Sequence, residues 1–185
     1  EGPPDLWAFD AAGDTLRIEI YRWETGYRRR AVRLPAVPTD SALAFLAGDY
    51  DRDGLTDLFV VRAGSPGRVE VWAGSGFTQL LARAGLDAAV DPGTRVALGD
   101  YDGDGVPDVF LLAAGGAAPL RVALGGQGFT LEGPVATSVA EHPGARLQVA
   151  DYDGDGREDL VFFDGDGVVT VYLGGSRLPE EDLTG

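Results

Sequence analysis

The 185-residue sequence contains no cysteine, lysine, methionine or asparagine, and its single histidine is His142. Without cysteine the chain can form no disulfide framework, no zinc-thiolate site and no iron-sulfur cluster. With neither lysine nor cysteine, it offers few catalytic bases or nucleophiles, and none of its serines lies in a Gly-x-Ser-x-Gly context. We therefore expect a protein that is not an enzyme.

Long apolar runs and positive charge are also scarce. No apolar stretch approaches the roughly 18 residues that a membrane span requires, so we expect no membrane insertion. The 15 arginines face 30 acidic residues, which gives a formal net charge of −15. Such a surface repels the phosphate backbone of nucleic acids and attracts cations or basic partners. We therefore expect no nucleic-acid partner.

What the sequence does contain is a repeat. The nine-residue motif Asp-Tyr-Asp-x-Asp-Gly-x-x-Asp occurs three times, beginning at Asp49, Asp100 and Asp151, so the period is 51 residues both times. A fixed period of this length is typical of architectures in which each unit is one small supersecondary element.

Short apolar segments flank every copy of the motif. A four-residue apolar run comes after it at 58–61, 109–112 and 160–163, then an alternating segment, and a Gly-aromatic pair opens a fourth segment in two copies. Runs of four residues bounded by turn signals fit buried strands better than helices, which need ten residues or more. Four short antiparallel strands per repeat make the blade of a β-propeller. We predict an all-β fold of such blades.

The two ends of the sequence set the phase of the repeat. Residues 1–5 align with the second half of the motif, and no Gly-aromatic segment follows Gly174, so the expected strand counts are three, four, four and three. We predict one propeller segment, 1–185, of about three and a half repeats: partial blade 1–40, blade 41–91, blade 92–142, partial blade 143–176 and tail 177–185. Closed propellers have four to eight blades. We therefore expect an incomplete ring or an excised part of a larger propeller, with further blades from the same chain or another subunit.

Four aspartates recur at positions 1, 3, 5 and 9 of the motif, around a glycine at position 6. Alternate residues of a tight loop point inward, the glycine allows the sharp turn, and position 7 can offer its backbone carbonyl. Ca²⁺ prefers such an all-oxygen set of carboxylates, carbonyl and water. The sequence thus predicts three Ca²⁺ sites. Their ligands would be Asp49, Asp51, Asp53, Leu55, Asp57, Asp100, Asp102, Asp104, Val106, Asp108, Asp151, Asp153, Asp155, Arg157 and Asp159.

Other calcium loops with the same opening are excluded by their later positions or by their spacing. An EF-hand needs a bidentate glutamate at position 12, where this sequence has Val60, Leu111 and Phe162. Nonapeptide calcium repeats would recur every nine residues. Plain Asp-Gly hairpin turns are an alternative for a single copy. Three clusters of four carboxylates, however, would oppose folding by repulsion unless a cation compensates them.

At these residues the sequence resembles the FG-GAP/VCBS family of calcium-binding propeller repeats, found in integrin α-subunit heads, bacterial secreted proteins and some fungal lectins. The loops that begin at Asp49, Asp100 and Asp151 match the family's metal loop position by position. The N-terminal copy lacks positions 1 and 3, so Asp5 is at most a leftover ligand. The resemblance implies adhesion or recognition by loops on one propeller face.

Together these observations predict a calcium-binding extracellular β-propeller module that acts as a rigid interaction or adhesion scaffold, with structural Ca²⁺. Carboxylate loops of this type are filled at the roughly 10⁻⁴–10⁻³ M calcium found outside cells, so we expect a secreted or cell-surface protein. The sequence does not identify the protein or glycan partner. Two alternatives stay open: a carbohydrate-binding lectin, and a non-catalytic part of a larger secreted enzyme or surface assembly.

Several other features favour structural roles. The acidic segments 10–14 and 164–167 are predicted to be ordinary hairpin turns. The basic cluster Arg28–Arg30, with Arg33, suits a charged edge strand better than a docking patch. The three tryptophans are predicted to lie in the core or at strand edges, since no aromatic set recurs in every repeat as sugar-binding platforms would require.

Overall fold

The structure is a computed structural model that describes residues 5–12, 15–34, 37–113, 117–140, 146–163, 168–174 and 181–182. In these residues the chain forms antiparallel β-sheets of three or four strands, with two short 3-10 turns. The predicted all-β fold of successive propeller-like sheets is confirmed. Within the same residues there is no helix with the length and apolar character of a membrane span.

Each sheet is built from strands that follow one another in the sequence and pair with their sequence neighbours. Sheet I consists of β1 (Leu6–Ala12), β2 (Thr15–Arg22) and β3 (Arg28–Leu34); sheet II of β4 (Ala42–Gly48), β5 (Asp57–Arg62), β6 (Arg68–Trp72) and β7 (Leu80–Gly85); sheet III of β8 (Arg95–Gly99), β9 (Asp108–Leu112), β10 (Ala117–Leu124) and β11 (Thr130–Ala140); sheet IV of β12 (Arg146–Ala150), β13 (Asp159–Phe163), β14 (Val169–Tyr172) and β15 (Glu181–Asp182). By the repeat, β1 to β3 correspond to the second to fourth strands of the other sheets.

Sheet IV has one strand more than the sequence predicted. The segment expected to be a tail contributes β15, in which Asp182 pairs with Thr170 and Glu181 with Val171. The physical reason is that the outer edge of β14 carries backbone groups that need hydrogen-bond partners, and an extended segment supplies them. The blade boundaries themselves stay predictions.

The second strands of sheets II and III are buried on both faces, since a sheet packs on either side of them. Every residue of β5 and β9 is buried. This is why the four-residue apolar runs show no alternation. Three hydrophobic clusters fill the spaces between successive sheets. They join sheets I and II through Ile18 and Val60, sheets II and III through Phe59 and Val109, and sheets III and IV through Phe110 and Leu160.

Two glycines let successive sheets approach closely. Gly48 ends β4, and a Cβ added there would lie 2.7 Å from Cδ2 of Leu98 in the next sheet. Gly99, 51 residues later, ends β8 and lies in the same way against Val149 and Glu158. A side chain at either position would push two sheets apart.

A left-handed aromatic residue lies one to three residues before the last strand of sheets I, II and III. Tyr27, Phe77 and Phe129 each follow a glycine, with φ of 59°, 56° and 63°. Their backbone N–H groups donate to the carbonyls of Arg22, Ala73 and Leu124 at 2.7–2.8 Å. Residues with a side chain rarely adopt positive φ. The recurrence of this conformation in three sheets marks it as part of the repeat.

Candidate metal loops

The three Asp loops connect the first and second strands of sheets II, III and IV. Loop 1 spans residues 49–57, loop 2 spans 100–108 and loop 3 spans 151–159, and the ninth residue of each opens the second strand. The glycine at position 6 is left-handed in every loop, with φ of 83° at Gly54, 81° at Gly105 and 88° at Gly156. This conformation is the reason for glycine at that position.

The first aspartate organises each loop around itself. Oδ2 of Asp49, Asp100 and Asp151 accepts a hydrogen bond from the backbone N–H of the position-6 glycine, at 3.0, 2.9 and 3.1 Å. Oδ1 accepts a second one, from position 5 in loop 1 and from position 4 in loops 2 and 3. The loop is therefore wrapped around this carboxylate.

The aspartates at positions 3 and 5 form successive Asx turns. The carboxylate at position 3 accepts the N–H of position 5 at 3.0–3.3 Å, and the carboxylate at position 5 accepts the N–H of position 7 at 2.7–2.8 Å. Short acidic side chains suit this role. Leu55, Val106 and Arg157 at position 7 thus donate their N–H groups within the loop, and a metal-binding role of their carbonyls stays a prediction.

The ninth aspartate differs from the others because it is fully buried and joins the loop to the sheet. One oxygen of Asp108 accepts the N–H of Tyr101 in the loop, and the other accepts the N–H of Gly125 after the third strand, both at 2.7 Å. Asp57 and Asp159 make the same two bonds at 2.7–2.9 Å. From the sequence these aspartates were predicted only as metal ligands. Their role in joining the loop to the sheet was not predicted.

Asp5 keeps half of this arrangement although its loop is incomplete. It aligns with position 9, and its Oδ1 accepts the N–H of Trp23 at 2.9 Å, as Asp108 accepts that of Gly125. Asp5 therefore keeps part of the strand-joining role of position 9.

Burial of the ninth aspartate changes its acidity. Burial raises the pKa of Asp108 to about 7, against the two backbone hydrogen bonds, and the charges of Asp102 and Asp104 add to the increase. Burial likewise raises the pKa of Asp57.

The carboxylates converge in every loop. Ligand oxygens within 4.8 Å of one another come from Asp49, Asp51 and Asp53 in loop 1, from Asp100, Asp102 and Asp108 in loop 2, and from Asp151, Asp153 and Asp159 in loop 3. Two oxygens on opposite sides of Ca²⁺, each at about 2.3–2.6 Å, are about 5 Å apart. The donor sets thus fit Ca²⁺ in size and chemistry. In all three loops the structure brings the aspartates at positions 1 and 3 together. The third carboxylate of the group comes from position 5 in loop 1 and from position 9 in loops 2 and 3.

A glycine after the third strand makes room for this arrangement. A Cβ on Gly74 or Gly125 would collide with the backbone carbonyl of Thr56 or Pro107, and one on Gly174 would lie 2.8 Å from the carbonyl of Glu158. The recurrence of glycine at this place in three repeats is the sequence signal that could have revealed the bond to position 9.

Neighbouring loops touch through an arginine. The Nη1 of Arg52 in loop 1 donates to the backbone carbonyl of Asp104 in loop 2 at 3.0 Å. Loop 3 reaches loop 2 at Gly103, where a Cβ would lie 3.1 Å from Cγ of Arg157. The three loops therefore lie side by side at one end of the stacked sheets.

A second polar cluster, unforeseen from the sequence, is buried between sheets I and II. Arg62 donates to Oε2 of Glu70 from Nε at 3.0 Å and from Nη2 at 2.8 Å, and to the carbonyls of Asp40 and Pro38. The partly exposed Arg68 also contacts Glu70, at 3.2 Å. Burial alone would raise the pKa of Glu70, but the hydrogen bond from Arg62 and the charges of the surrounding arginines lower it. The sequence signal for this cluster is the presence of Arg62 and Glu70, eight residues apart, in two otherwise apolar strands.

The tryptophans and the basic cluster occupy different environments. Trp7 and Trp72 pack in the cluster between sheets I and II, whereas Trp23 is exposed beside Tyr27, with ring centroids 5.6 Å apart. Arg28 begins the edge strand β3 and is exposed. His142, segment 164–167 and the end of segment 10–14 lie outside the described residues, as do the side chains of Arg29, Arg30 and Arg33.

The sequence pattern of the FG-GAP-like repeat matches residues 49–111 and again residues 100–162. Each match starts at the first aspartate of one loop and ends in the second strand of the next sheet. Together the matches span 49–162, which is more than half of the chain. No curated protein and no solved structure matches the sequence.

Proposed function

The chain belongs to the FG-GAP-like repeat family, as its motifs predicted, and we propose that it is an extracellular calcium-binding module whose sheets form a rigid scaffold for interactions with a partner. The convergence of three carboxylates in each of three loops is the observation that carries this proposal. All donors are oxygens and most are anionic, which favours a hard cation of the size of Ca²⁺ over a transition metal.

The role of the ion in this proposal is structural. In loops 2 and 3 it would be held by positions 1 and 3 of the loop and by position 9, which the sheet fixes through Gly125 and Gly174. It would place a positive charge beside the carboxylate of Asp108, whose pKa is raised by burial. In this proposal the carboxylates of each loop serve only to hold the ion. A structural ion needs no open coordination position for a reactant.

An extracellular location follows from the expected affinity. Carboxylate calcium loops of extracellular modules are filled at roughly 10⁻⁴–10⁻³ M calcium, the range outside cells. Three ions would change the formal charge of the chain from −15 to −9, since each carries two positive charges. Occupied loops would therefore also reduce the self-repulsion that opposes a compact acidic chain.

The test is calcium titration of the purified chain by calorimetry, with thermal melting in excess calcium and in chelator. We expect three ions per chain and a higher melting temperature with calcium, because a ligand at about 100 times its Kd adds about 2.7 kcal/mol per site. Asp102→Asn should remove one ion, whereas Asp87→Asn, exposed and outside the loops, should leave three. Equal melting in calcium and chelator, or no binding at millimolar calcium, would refute the proposal.

A further inference from the structure

Positive charge is concentrated around one buried carboxylate of sheet II. Glu70 is 1% exposed, and three arginines contact it: Arg62, Arg68 and Arg83. The whole chain has twice as many acidic residues as arginines, so this place reverses the overall charge balance.

Arg62 by itself provides the buried counter-charge of Glu70. It is as buried as Glu70 and donates to Oε2 of that residue from two nitrogens. Its Nη1 and Nη2 also donate to the carbonyls of Asp40 and Pro38, at 2.6 and 2.8 Å. The other two arginines therefore exceed what the burial of one carboxylate requires.

Arg68 and Arg83, which we call the arginine pair, lie side by side at the surface. Arg83 is paired with Glu70 across β6 and β7, and Arg68 precedes Glu70 by two residues, so all three lie on one face of the sheet. The Nε atoms of Arg68 and Arg83 lie 3.2 and 3.1 Å from the same oxygen, Oε1 of Glu70. This shared contact holds the two guanidinium groups next to each other.

The outer nitrogens of the arginine pair are free to bind a ligand. The two side chains are 46% and 53% exposed. In the part of the chain that the structure describes, neither makes an ion pair or hydrogen bond other than the contact of its Nε with Glu70. Each guanidinium therefore keeps the donors of its two Nη groups.

We infer that the arginine pair binds one tetrahedral oxyanion group, a sulfate or phosphate ester. A guanidinium fork matches two oxygens of such a group, and two adjacent forks can contact three of them. Asp40 lies 3.9 Å from Arg62, so three arginines face two carboxylates and the cluster keeps one excess positive charge. The formal charge of −15 repels a long polyanion. The ligand is therefore a single anionic group on an otherwise neutral molecule such as a sugar.

This site is separate from the metal loops. Asp57 of loop 1 is the first residue of β5 and Arg62 is the last, so about 17 Å of strand lies between them. The inference goes beyond the proposed calcium role and does not depend on it.

The experiment is a titration of the purified chain with galactose 6-sulfate and galactose 6-phosphate at constant ionic strength. Binding is followed by the NMR signals of the arginine Nε–H groups, in chelator and again with calcium, so that the result is independent of the metal loops. We expect saturable shifts at Arg68 and Arg83 with a Kd in about the millimolar range, because exposed ion pairs contribute little each. Galactose, which lacks the anion, should cause no shift, and the two esters compared show which source of the oxyanion is preferred.

Substitutions identify the nitrogens that bind. Arg68→Gln and Arg83→Gln should each weaken binding about three- to tenfold, because one of the two forks is lost. Arg17→Gln is the matched control: it removes the same charge from a partly exposed arginine that forms a one-to-one pair with Glu19, and binding should be unchanged. Circular dichroism establishes that each variant is folded.

Three results would overturn the inference. The first is a parent chain that shows no saturable shift with either ester. The second is an equal loss of binding in all three variants, which would trace binding to overall charge. The third is equally tight binding of galacturonate, because a planar carboxylate would then be as good a ligand as a tetrahedral group.

Discussion

Glu158 and Asp100 bind each other across the boundary between sheets III and IV. The backbone N–H of Asp100 donates to Oε2 of Glu158 at 2.7 Å, and the backbone N–H of Glu158 donates to the carbonyl of Asp100 at 2.8 Å. Asp100 is the first residue of loop 2 and Glu158 the eighth of loop 3. The two hydrogen bonds therefore tie one candidate metal loop to the next.

Loss of the Glu158 side chain should weaken the boundary between the two sheets. We expect Glu158→Ala to lower the free energy of unfolding by about 1–2 kcal/mol, because the N–H of Asp100 loses its acceptor. Glu158→Gln keeps an oxygen at the same place and should recover most of the loss. Urea denaturation of both variants provides the measurement, and equal stabilities of the two would contradict the role of the hydrogen bond.

The ninth aspartate should matter for folding even without metal. In chelator, Asp108→Ala is expected to cost about 2–4 kcal/mol of stability, since it leaves the buried N–H groups of Tyr101 and Gly125 without their acceptor. Asp104→Ala removes an exposed carboxylate of the same loop and should cost under about 1 kcal/mol under the same conditions. If both substitutions had the same small effect, Asp108 would serve the ion alone.

The glycine after the third strand should not tolerate a methyl group. Gly125→Ala is expected to destabilise the protein by about 1–3 kcal/mol, because its Cβ would collide with the carbonyl of Pro107. Gly85→Ala in β7 is the matched control: a Cβ there meets nothing within 4 Å, and it should be neutral or slightly stabilising. Thermal melting of the two variants compares them directly, and a harmless Gly125→Ala would show that the loop can move aside.

The buried Glu70 predicts a specific dependence of stability on pH. Its pKa is lowered from the ordinary 4.5, so its stabilising contribution is complete above that value and is lost as the pH falls through the folded value. Relative to a Glu70→Gln variant, the parent should lose stability below pH 4.5, by at most about 1.4 kcal/mol per pH unit. Urea midpoints at a series of pH values would show this, and parallel profiles of the two proteins would refute it.

The strands and loops could be predicted because their signals are local and occur three times. An apolar run such as 58–61 and a spacing such as that from Asp49 to Asp57 are visible in a few consecutive residues. The second role of Asp108 was missed because its partner, Gly125, is 17 residues away and reaches it only through the pairing of β9 with β10. The Arg62–Glu70 pair similarly depends on the hairpin of β5 and β6, and β15 on a distant edge.

The glycine contacts between sheets constrain how this chain can change in length. Gly48 meets Leu98, and Gly99 meets Val149, so each residue of the second contact lies 51 positions after its counterpart in the first. Removing or duplicating 51 residues would join two positions that are equivalent in the repeat. A stretch that is not a whole number of repeats would instead join a loop position to a strand position. Adding or removing whole repeats of 51 residues is therefore the change in length that leaves these contacts between neighbouring sheets intact.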